Sequence, residues 1–258
     1  MPAIDSFLVG RFLVFTLVLA RTGGLVMTAP IFGYRAIPLR VRILLAVALS
    51  LLVTSVWLGT SLPPIEGWSG LALLLANEVL VGALLGVGVS ILLAGVQVAG
   101  QLVAQLSGVS LGDVFNPDSG ESVSAISQLF TMLVLAVFVA LGGHRLMTEA
   151  LLDTFVWAPP GLANLGDSYV DVLTGIVSHS FSLGIRAAAP IAVALLISTL
   201  VLGLIGRTLP QLNILAVGLG INSLVVLGLL FVSVGAVAWT FEEPLVDVLV
   251  TLRDAVRP

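Results

Sequence analysis

Glu78 is the residue whose type and position most demand a chemical explanation. It lies about nine residues into an apolar run, where its short side chain reaches neither surface. A carboxylate in such surroundings must pair with a cation, accept hydrogen bonds or stay protonated. It is either the proton-relay acid of a secondary transporter or a structural carboxylate paired with an arginine such as Arg21. The second interpretation is favoured, because a relay needs several titratable groups in series.

Three arginines accompany Glu78 within apolar segments. Arg11, Arg21 and Arg186 lie closer to the ends of their segments than Glu78 does. Long arginine side chains extend toward the membrane surface from such positions. The candidate intramembrane charges are therefore Glu78, Arg21 and Arg186.

Two further groups of residues invite a catalytic or metal-binding interpretation. Residues 108–112 (GVSLG) match a hydrolase nucleophile motif, with Asp113 and His144 as its partners. That motif works only on a strained turn between a strand and a helix, whereas here it follows a long apolar helix. His144 and His179 are 35 residues apart, and neither has a carboxylate or second histidine at metal-ligand spacing. We therefore expect no catalytic, cofactor-binding or metal-binding residue and no enzyme.

The composition is that of an integral membrane protein. Of the 258 residues, 59% are hydrophobic and 9% charged, against about a quarter charged in a soluble domain. The net charge is −4 and every basic residue is an arginine, which leaves no basic patch for nucleic acid. Because the chain has no cysteine, disulfides and thiolate metal sites are excluded.

Hydrophobic patterning predicts the elements that position these residues. The apolar segments lie near residues 6–29, 41–59, 70–106, 126–147, 181–206 and 214–240. Proline-containing breakers separate them at residues 29–30, 37–38, 62–64, 116–117, 158–161 and 209–210. In hydrocarbon, runs of this length must be helices, because each backbone amide needs a partner within its own segment. We predict an all-α integral membrane protein of about six long hydrophobic helices, the first of them retained rather than cleaved.

A polar stripe runs along the second half of the third segment. Gln97, Gln101 and Gln105 are four residues apart, which keeps them on one face of a helix. Amides are costly against lipid tails, so these must face protein or water. The stripe either hydrogen-bonds other helices or lines an aqueous passage. On the same segment, Gly82 and Gly86 have the spacing of a close helix contact.

Residues 107–124, directly after this stripe, are predicted to form a loop. Several glycines and Pro117 break the helix, and the polar side chains include Asp113, Asn116, Asp118 and Glu121. Non-helical backbone at membrane depth is tolerated only where it lines or fills a cavity. The loop is therefore either such an element or a plain surface loop.

An ordered set of motifs runs along most of the chain. It comprises residues 21–25 (RTGGL), 29–33 (APIFG), 37–42 (IPLRVR), Glu78 with Gly82, 105–120, 140–144 (ALGGH) and 210–213 (PQLN). This set resembles the FliR family of flagellar export proteins. The resemblance runs from about residue 7 to residue 240. Two features depart from it. Asn116 stands where the family commonly has aspartate, and residues 218–222 (GLGIN) replace a stretch that usually carries proline and a basic residue.

The resemblance implies a subunit of the flagellar type III export gate in the bacterial inner membrane, at the flagellar basal body. It implies assembly with FliP and FliQ, contact with FlhB and FlhA on the cytoplasmic side, and passage of unfolded export substrates. The role is not enzymatic and implies no cofactor. Membrane lipid is a further partner, and nucleic acid is not.

The resemblance also assigns parts of the chain. Residues 1–160 correspond to a FliP-like part, and residues 161–258 to a FliQ-like hairpin at about 181–240 with a C-terminal amphipathic tail. The hairpin turn is assigned to Pro210, Gln211 and Asn213. Residues 108–121 correspond to a plug loop, whose members are Gly108, Ser110, Gly112, Asp113, Phe115, Asn116, Pro117, Asp118 and Gly120.

Two alternative functions stay open at this point. One is the equivalent SctT subunit of a virulence injectisome, which occupies the corresponding place in that machine. The other, of a different class, is a proton-coupled secondary transporter built around Glu78. A solitary transporter would carry flux in liposomes without partner chains, which distinguishes it from an export subunit.

Overall fold

The computed structural model of the chain is all-α in the residues that it describes. These are residues 2–32, 37–57, 67–108, 125–163, 169–209, 211 and 213–255, with the side chains of 2–8, 214–215 and 233–240 excepted. The helices are α1 (Pro2–Thr28), α2 (Leu39–Trp57), α3 (Gly67–Ser107), α4 (Ala125–Ala140), α5 (Gly143–Trp157), α6 (Tyr169–Thr208) and α7 (Ile214–Asp254). The predicted all-α class is confirmed.

Proline breakers fix several of the helix ends. α1 ends at Thr28, two residues before Pro30, and α2 begins at Leu39, directly after Pro38. α5 ends at Trp157, before the turn of residues 158–161. Because proline has no amide hydrogen and its ring excludes the preceding helical carbonyl, these positions are where helices stop.

Three of the predicted segments differ from the helices observed. The segment predicted near residues 126–147 is two helices, because Gly142 adopts a left-handed conformation with φ 71° and starts α5 anew. α5 then continues to Trp157 and exposes the polar side chains His144, Arg145 and Glu149 in its first half. α6 begins at Tyr169, 12 residues before the predicted start of the hairpin at residue 181. α7 ends at Asp254, 14 residues after the predicted end of the hairpin at residue 240. The sequence missed these extensions because they are amphipathic rather than uniformly apolar.

Four helices contain stretches that are long and apolar enough to cross a membrane: Val9–Thr28, Leu39–Val56, Gly67–Ser107 and Tyr169–Thr208. α4 and α5 meet the same requirement only when they are taken together as one broken span. The described part of the chain therefore offers four or five membrane spans, and α7 adds a shorter apolar stretch at Ala216–Val232.

Contacts divide the chain into two compact units, and the first comprises Met1–Ile91, Gly142–Ile176 and Leu245–Pro258. α1 buries one continuous face in it, at Val14, Leu17, Val18, Arg21, Thr22, Leu25 and Val26. The spacing of three and four residues is that of a helix packed along its length. The end of α7 is buried in the same way, at Leu245, Val248, Leu249 and Leu252.

Glycines permit the close contact of α1 with α3 in this unit. A Cβ atom at Gly24 would collide with the backbone at Val79, and one at Gly82 would collide with the carbonyl of Arg21. At Gly86 a Cβ atom would meet the Thr28 side chain. The predicted close-packing role of Gly82 and Gly86 is thus realised against α1.

The second unit comprises Leu92–Leu141 and Val177–Pro244. α3 and α6 cross where Gly95 faces Ser180 and Gly184, with no room for a Cβ atom on either glycine. Gly100 of α3 lies against the ring of Phe130 on α4. Asn222 of α7 accepts a hydrogen bond from Ser198 Oγ of α6 at 2.8 Å. The two units are discontinuous in sequence, and the division near residue 160 that the resemblance implies stays a prediction.

Candidate functional site

The first unit contains a buried ion pair between α1 and α3. Arg21 Nε lies 2.6 Å from Glu78 Oε2, and both residues are fully buried. Each occupies a position on its helix where the neighbouring buried residues are apolar, such as Leu17 and Val81. The close approach that Gly82 allows brings the two backbones near enough for this contact.

Further hydrogen bonds enclose both charged groups. Arg21 Nη1 donates to Thr154 Oγ1 at 3.2 Å and to the carbonyl oxygen of Ala158 at 3.0 Å. The other carboxylate oxygen, Glu78 Oε1, accepts the backbone N–H of Gly161 at 2.7 Å. The guanidinium also lies 4.3 Å from the centroid of the Phe155 ring. The pair thus joins α1, α3, α5 and the turn that follows α5.

Of the two interpretations of Glu78, this geometry matches the structural carboxylate paired with an arginine. Both of its oxygens are hydrogen-bonded, and its charge is compensated by an arginine that is also held on its far side. A buried charge pair is tolerated when its remaining donors and acceptors are satisfied. Two neighbouring buried atoms, Arg21 Nη2 and Tyr169 Oη, have no hydrogen-bond partner among the described residues.

Sequence reasoning missed the groups that complete this cluster. Thr154 and the Ala158 carbonyl lie more than 130 residues from Arg21 along the chain, and Gly161 is 83 residues from Glu78. The Pro-Pro-Gly turn at residues 159–161 was the one local signal. It predicted a break in the helix, but it did not predict that the Gly161 N–H would donate to Glu78.

The glutamine stripe lies on α3 in the second unit, and its three side chains are fully or partly exposed. Gln101 and Gln105 are exposed and Gln97 is partly buried. None of the three side chains makes a hydrogen bond or ion pair with the part of the chain that the structure describes. The side chains of the stripe therefore make no polar contact with the described residues of this chain.

The plug-loop residues lie mostly outside the described part of the chain. Gly108, the first of them, ends α3 with φ 77°, and its N–H donates to the Gln105 carbonyl at 3.1 Å. Near this end of α3, Asn222 Nδ2 lies 3.5 Å from the Ser107 carbonyl, a contact that sequence reasoning missed. The others lie outside the described residues, namely Ser110, Gly112, Asp113, Phe115, Asn116, Pro117, Asp118 and Gly120.

The predicted hairpin turn falls between α6 and α7. Gln211 and Asn213 are exposed, and Pro210 is outside the described residues. Asn213 Oδ1 accepts the N–H of Ala216 at 3.3 Å, which caps the start of α7. Arg186, the third predicted intramembrane charge, is exposed on α6 and far along the chain from the Arg21 cluster.

Neither histidine lies in the buried cluster. His144 and His179 are both exposed. Among the described residues, no three side chains of the histidine, aspartate or glutamate type are grouped so that they could hold a metal ion.

Comparisons with a family model and with individual known proteins agree on one family. The family model described as "Bacterial export proteins, family 1" matches residues 12–247. The flagellar biosynthetic protein FliR of Caulobacter vibrioides is 30% identical over 226 residues, which cover 87% of this chain and 90% of that protein. FliR of Pectobacterium carotovorum is 32% identical, covering 80% and 79%, and FliR of Escherichia coli is 30% identical, covering 92% and 90%. The chain therefore belongs to the FliR family of bacterial export proteins.

Proposed function

We propose that this protein is a subunit of the flagellar type III export gate that forms, with FliP and FliQ, the membrane channel for unfolded flagellar proteins. The family and the long apolar helices support a membrane component of the flagellar export apparatus. In this proposal the channel lies in the bacterial inner membrane at the flagellar basal body. FlhB and FlhA contact it on the cytoplasmic side, and the protein itself catalyses no reaction.

The open glutamine stripe carries this proposal. Its three amides are aligned on one face of α3 and have no partner among the described residues. Lipid tails offer amides no hydrogen bonds, so such a stripe persists only against water or polar groups of other chains. An aqueous export passage provides that environment along the whole stripe. Uncharged amides also bind no export substrate tightly, which suits a passage for chains of varied sequence.

The loop after α3 is proposed to close this passage. Its first residue, Gly108, directly follows the last turn of the helix that carries Gln105. Residues 108–121 are therefore attached within one turn of the stripe. In the proposal they plug the channel until substrate passes.

The buried ion pair is proposed to hold the frame of the subunit rather than to move protons. Its two charges compensate one another and fix four chain segments. This role supports a rigid wall against which partner subunits pack. The injectisome alternative lacks a comparable observation, since the relatives compared above are flagellar.

Replacement of Gln97, Gln101 and Gln105 by leucine tests the proposal. We expect export of flagellar proteins into the medium to fall strongly, while FliP and FliQ still co-purify with the tagged chain. Gln128→Leu is the matched control, because this exposed glutamine lies on α4 outside the stripe. Equal loss of export and of co-purification after the triple change would instead assign the stripe to contacts between subunits.

Recovery of the partners is the second measurement. Purification in a mild detergent, followed by mass identification, is expected to return FliP-like and FliQ-like chains. Isolation as a lone chain that mediates ion flux by itself, lost on Glu78→Gln, would contradict the proposal in favour of a transporter. Deletion that abolishes motility but leaves effector secretion intact separates the flagellar role from an injectisome role.

A further inference from the structure

Two buried polar groups beside the Arg21–Glu78 pair have no hydrogen-bond partner in the described part of the chain. They are Arg21 Nη2 and the Tyr169 hydroxyl. Arg21 is fully buried, and Tyr169 is 8% exposed. The other two nitrogens of the same guanidinium are bonded, Nε to Glu78 and Nη1 to Thr154 and Ala158. Buried polar groups of folded proteins nearly always bond protein atoms or ordered water, so both groups need a partner.

The two groups lie in the same part of the first unit. The Ala158 carbonyl accepts from Arg21 Nη1 at 3.0 Å, and Ala158 belongs to a buried cluster that also contains Val81, Ala163 and Tyr169. The charge of Arg21 acts on the Tyr169 hydroxyl, which places the two groups within electrostatic range of one another. They do not bond directly, since each lacks a partner among the described residues. A group that bridges them must be small, because the residues around them are buried.

The chemistry of the two groups specifies a neutral bridging molecule. An arginine Nη atom only donates, whereas a tyrosine hydroxyl both donates and accepts. An anion would bond Arg21, but it would add a second buried negative charge beside Glu78, whose carboxylate already compensates Arg21. A cation would be repelled by the guanidinium. Water accepts from Arg21 and bonds Tyr169 without any change of the buried charge.

We infer that a buried water molecule bridges Arg21 Nη2 and the Tyr169 hydroxyl. Buried waters commonly make about three hydrogen bonds. The Ala158 carbonyl oxygen, which bonds Arg21 Nη1, has a second lone pair for the third. The direct hydrogen bonds of the pair join α1, α3, α5 and the turn after α5, and the water adds the first residue of α6. The water is a structural ligand of this chain, and the inference does not depend on the export function.

The sign of the stability change in Tyr169→Phe tests this inference. If the hydroxyl is bridged, its removal breaks a hydrogen bond and leaves the water and Arg21 Nη2 less well bonded. We expect the unfolding temperature of the full chain in detergent to fall by about 2–4 °C, the effect of one hydrogen bond in a chain of this size. A hydroxyl that bonds nothing would give the opposite result, because phenylalanine would remove an unsatisfied buried polar group. An unchanged or raised unfolding temperature would therefore overturn the inference.

Two controls separate the bridging water from other causes of the same shift. Thr174→Val removes an exposed hydroxyl of α6 that bonds the Val170 carbonyl of its own helix, and we expect no measurable shift. Arg21→Met combined with Glu78→Leu removes the group that the water joins to Tyr169. In that background Tyr169→Phe should no longer lower the unfolding temperature. An equal fall in both backgrounds would show that the hydroxyl bonds another part of the chain, which would overturn the inference.

Electron cryomicroscopy of the protein, in the complex with which it is purified, observes the site directly. At a resolution that shows ordered water, we expect one density peak within hydrogen-bond distance of both Arg21 Nη2 and the Tyr169 hydroxyl. The peak should be lost in Tyr169→Phe. A direct bond between the two groups, another side chain between them, no peak, or a peak that grows when chloride is replaced by bromide would each overturn the inference.

Discussion

Arg21 of α1 and Glu78 of α3 form a buried charge pair at a helix contact whose other buried residues are mostly apolar. Such a pair gains little over well-packed apolar side chains, because both charges must be taken out of water. Loss of one partner is different, since it leaves an uncompensated charge with no water nearby. At this position the guanidinium also orders Thr154 and the Ala158 carbonyl, so its removal affects α5 as well.

Substitution of one partner should therefore be much worse than substitution of both. We expect Arg21→Ala to lower the free energy of unfolding by about 3–5 kcal/mol, and Arg21→Met combined with Glu78→Leu to lower it by clearly less. Denaturant unfolding in detergent micelles measures both. Arg145→Ala, at an exposed pair, is the control and should have no measurable effect. Equal stability of Arg21→Ala and the parent would refute a structural role of the pair.

The Gly161 amide reaches Glu78 only through an unusual backbone conformation. Gly161 has φ 86°, in the left-handed region that side chains with a Cβ atom rarely adopt. We expect Gly161→Ala to cost about 1–2 kcal/mol of unfolding free energy. Gly175→Ala is the matched control, because Gly175 is helical and has open space around it. A result in which both variants unfold alike would show that the turn tolerates another conformation.

At the scale of elements, close helix contacts depend on glycines, and the sequence identified only some of the glycines that lie at such contacts. The spacing of Gly82 and Gly86 predicted a contact on α3, but it did not identify α1 as the partner. The chain has 27 glycines, and spacing alone does not separate those at a contact from those in open space. Only the three-dimensional arrangement does so, because the partner backbone is distant along the chain.

Two adjacent glycines of α1 provide a direct comparison. A Cβ atom at Gly24 would collide with the backbone of α3, whereas one at Gly23 meets nothing within 4 Å. We expect Gly24→Ala to reduce the yield and unfolding temperature of the purified protein. Gly23→Ala should leave them unchanged or slightly raise them, because alanine favours a helix by up to about 1 kcal/mol over glycine. Equal effects of the two would contradict the described contact.

Helix ends were predictable where proline caused them and not where glycine did. Pro30, Pro38 and the turn at residues 158–161 marked true helix ends, because proline has no amide hydrogen to donate. Pro190 and Pro244 instead lie inside α6 and α7, so proline does not end every helix of this chain. The break at Gly142 was not predicted, because glycine permits a left-handed turn without requiring one. The far ends of α6 and α7 were also missed, since their polar faces lowered the mean hydropathy there.

At the scale of the whole molecule, the apolar composition was enough to predict the fold class. The buried cluster around Arg21 and Glu78 instead depends on contacts between residues that are distant along the chain. The 59% hydrophobic content, the 9% charged content and the length of the apolar segments were sufficient to predict a helical membrane protein. The partner of Glu78 was suggested because few cations lie within apolar segments. Thr154 and Gly161 could not be suggested in that way, because hydroxyl and backbone groups are everywhere in the sequence.

The plug-loop proposal concerns the function of the assembled channel rather than the stability of one chain. Removal of residues 110–121 takes away the polar loop but leaves α3 to its last residue and α4 complete. We therefore expect the shortened chain to assemble with its partners while ion leakage across the membrane rises, measured as loss of membrane potential in cells. Removal of residues 59–64, in the connection between α2 and α3, is the control and should not raise leakage. If the subunit were only a structural anchor, leakage would be the same with and without residues 110–121, because no passage would have been opened.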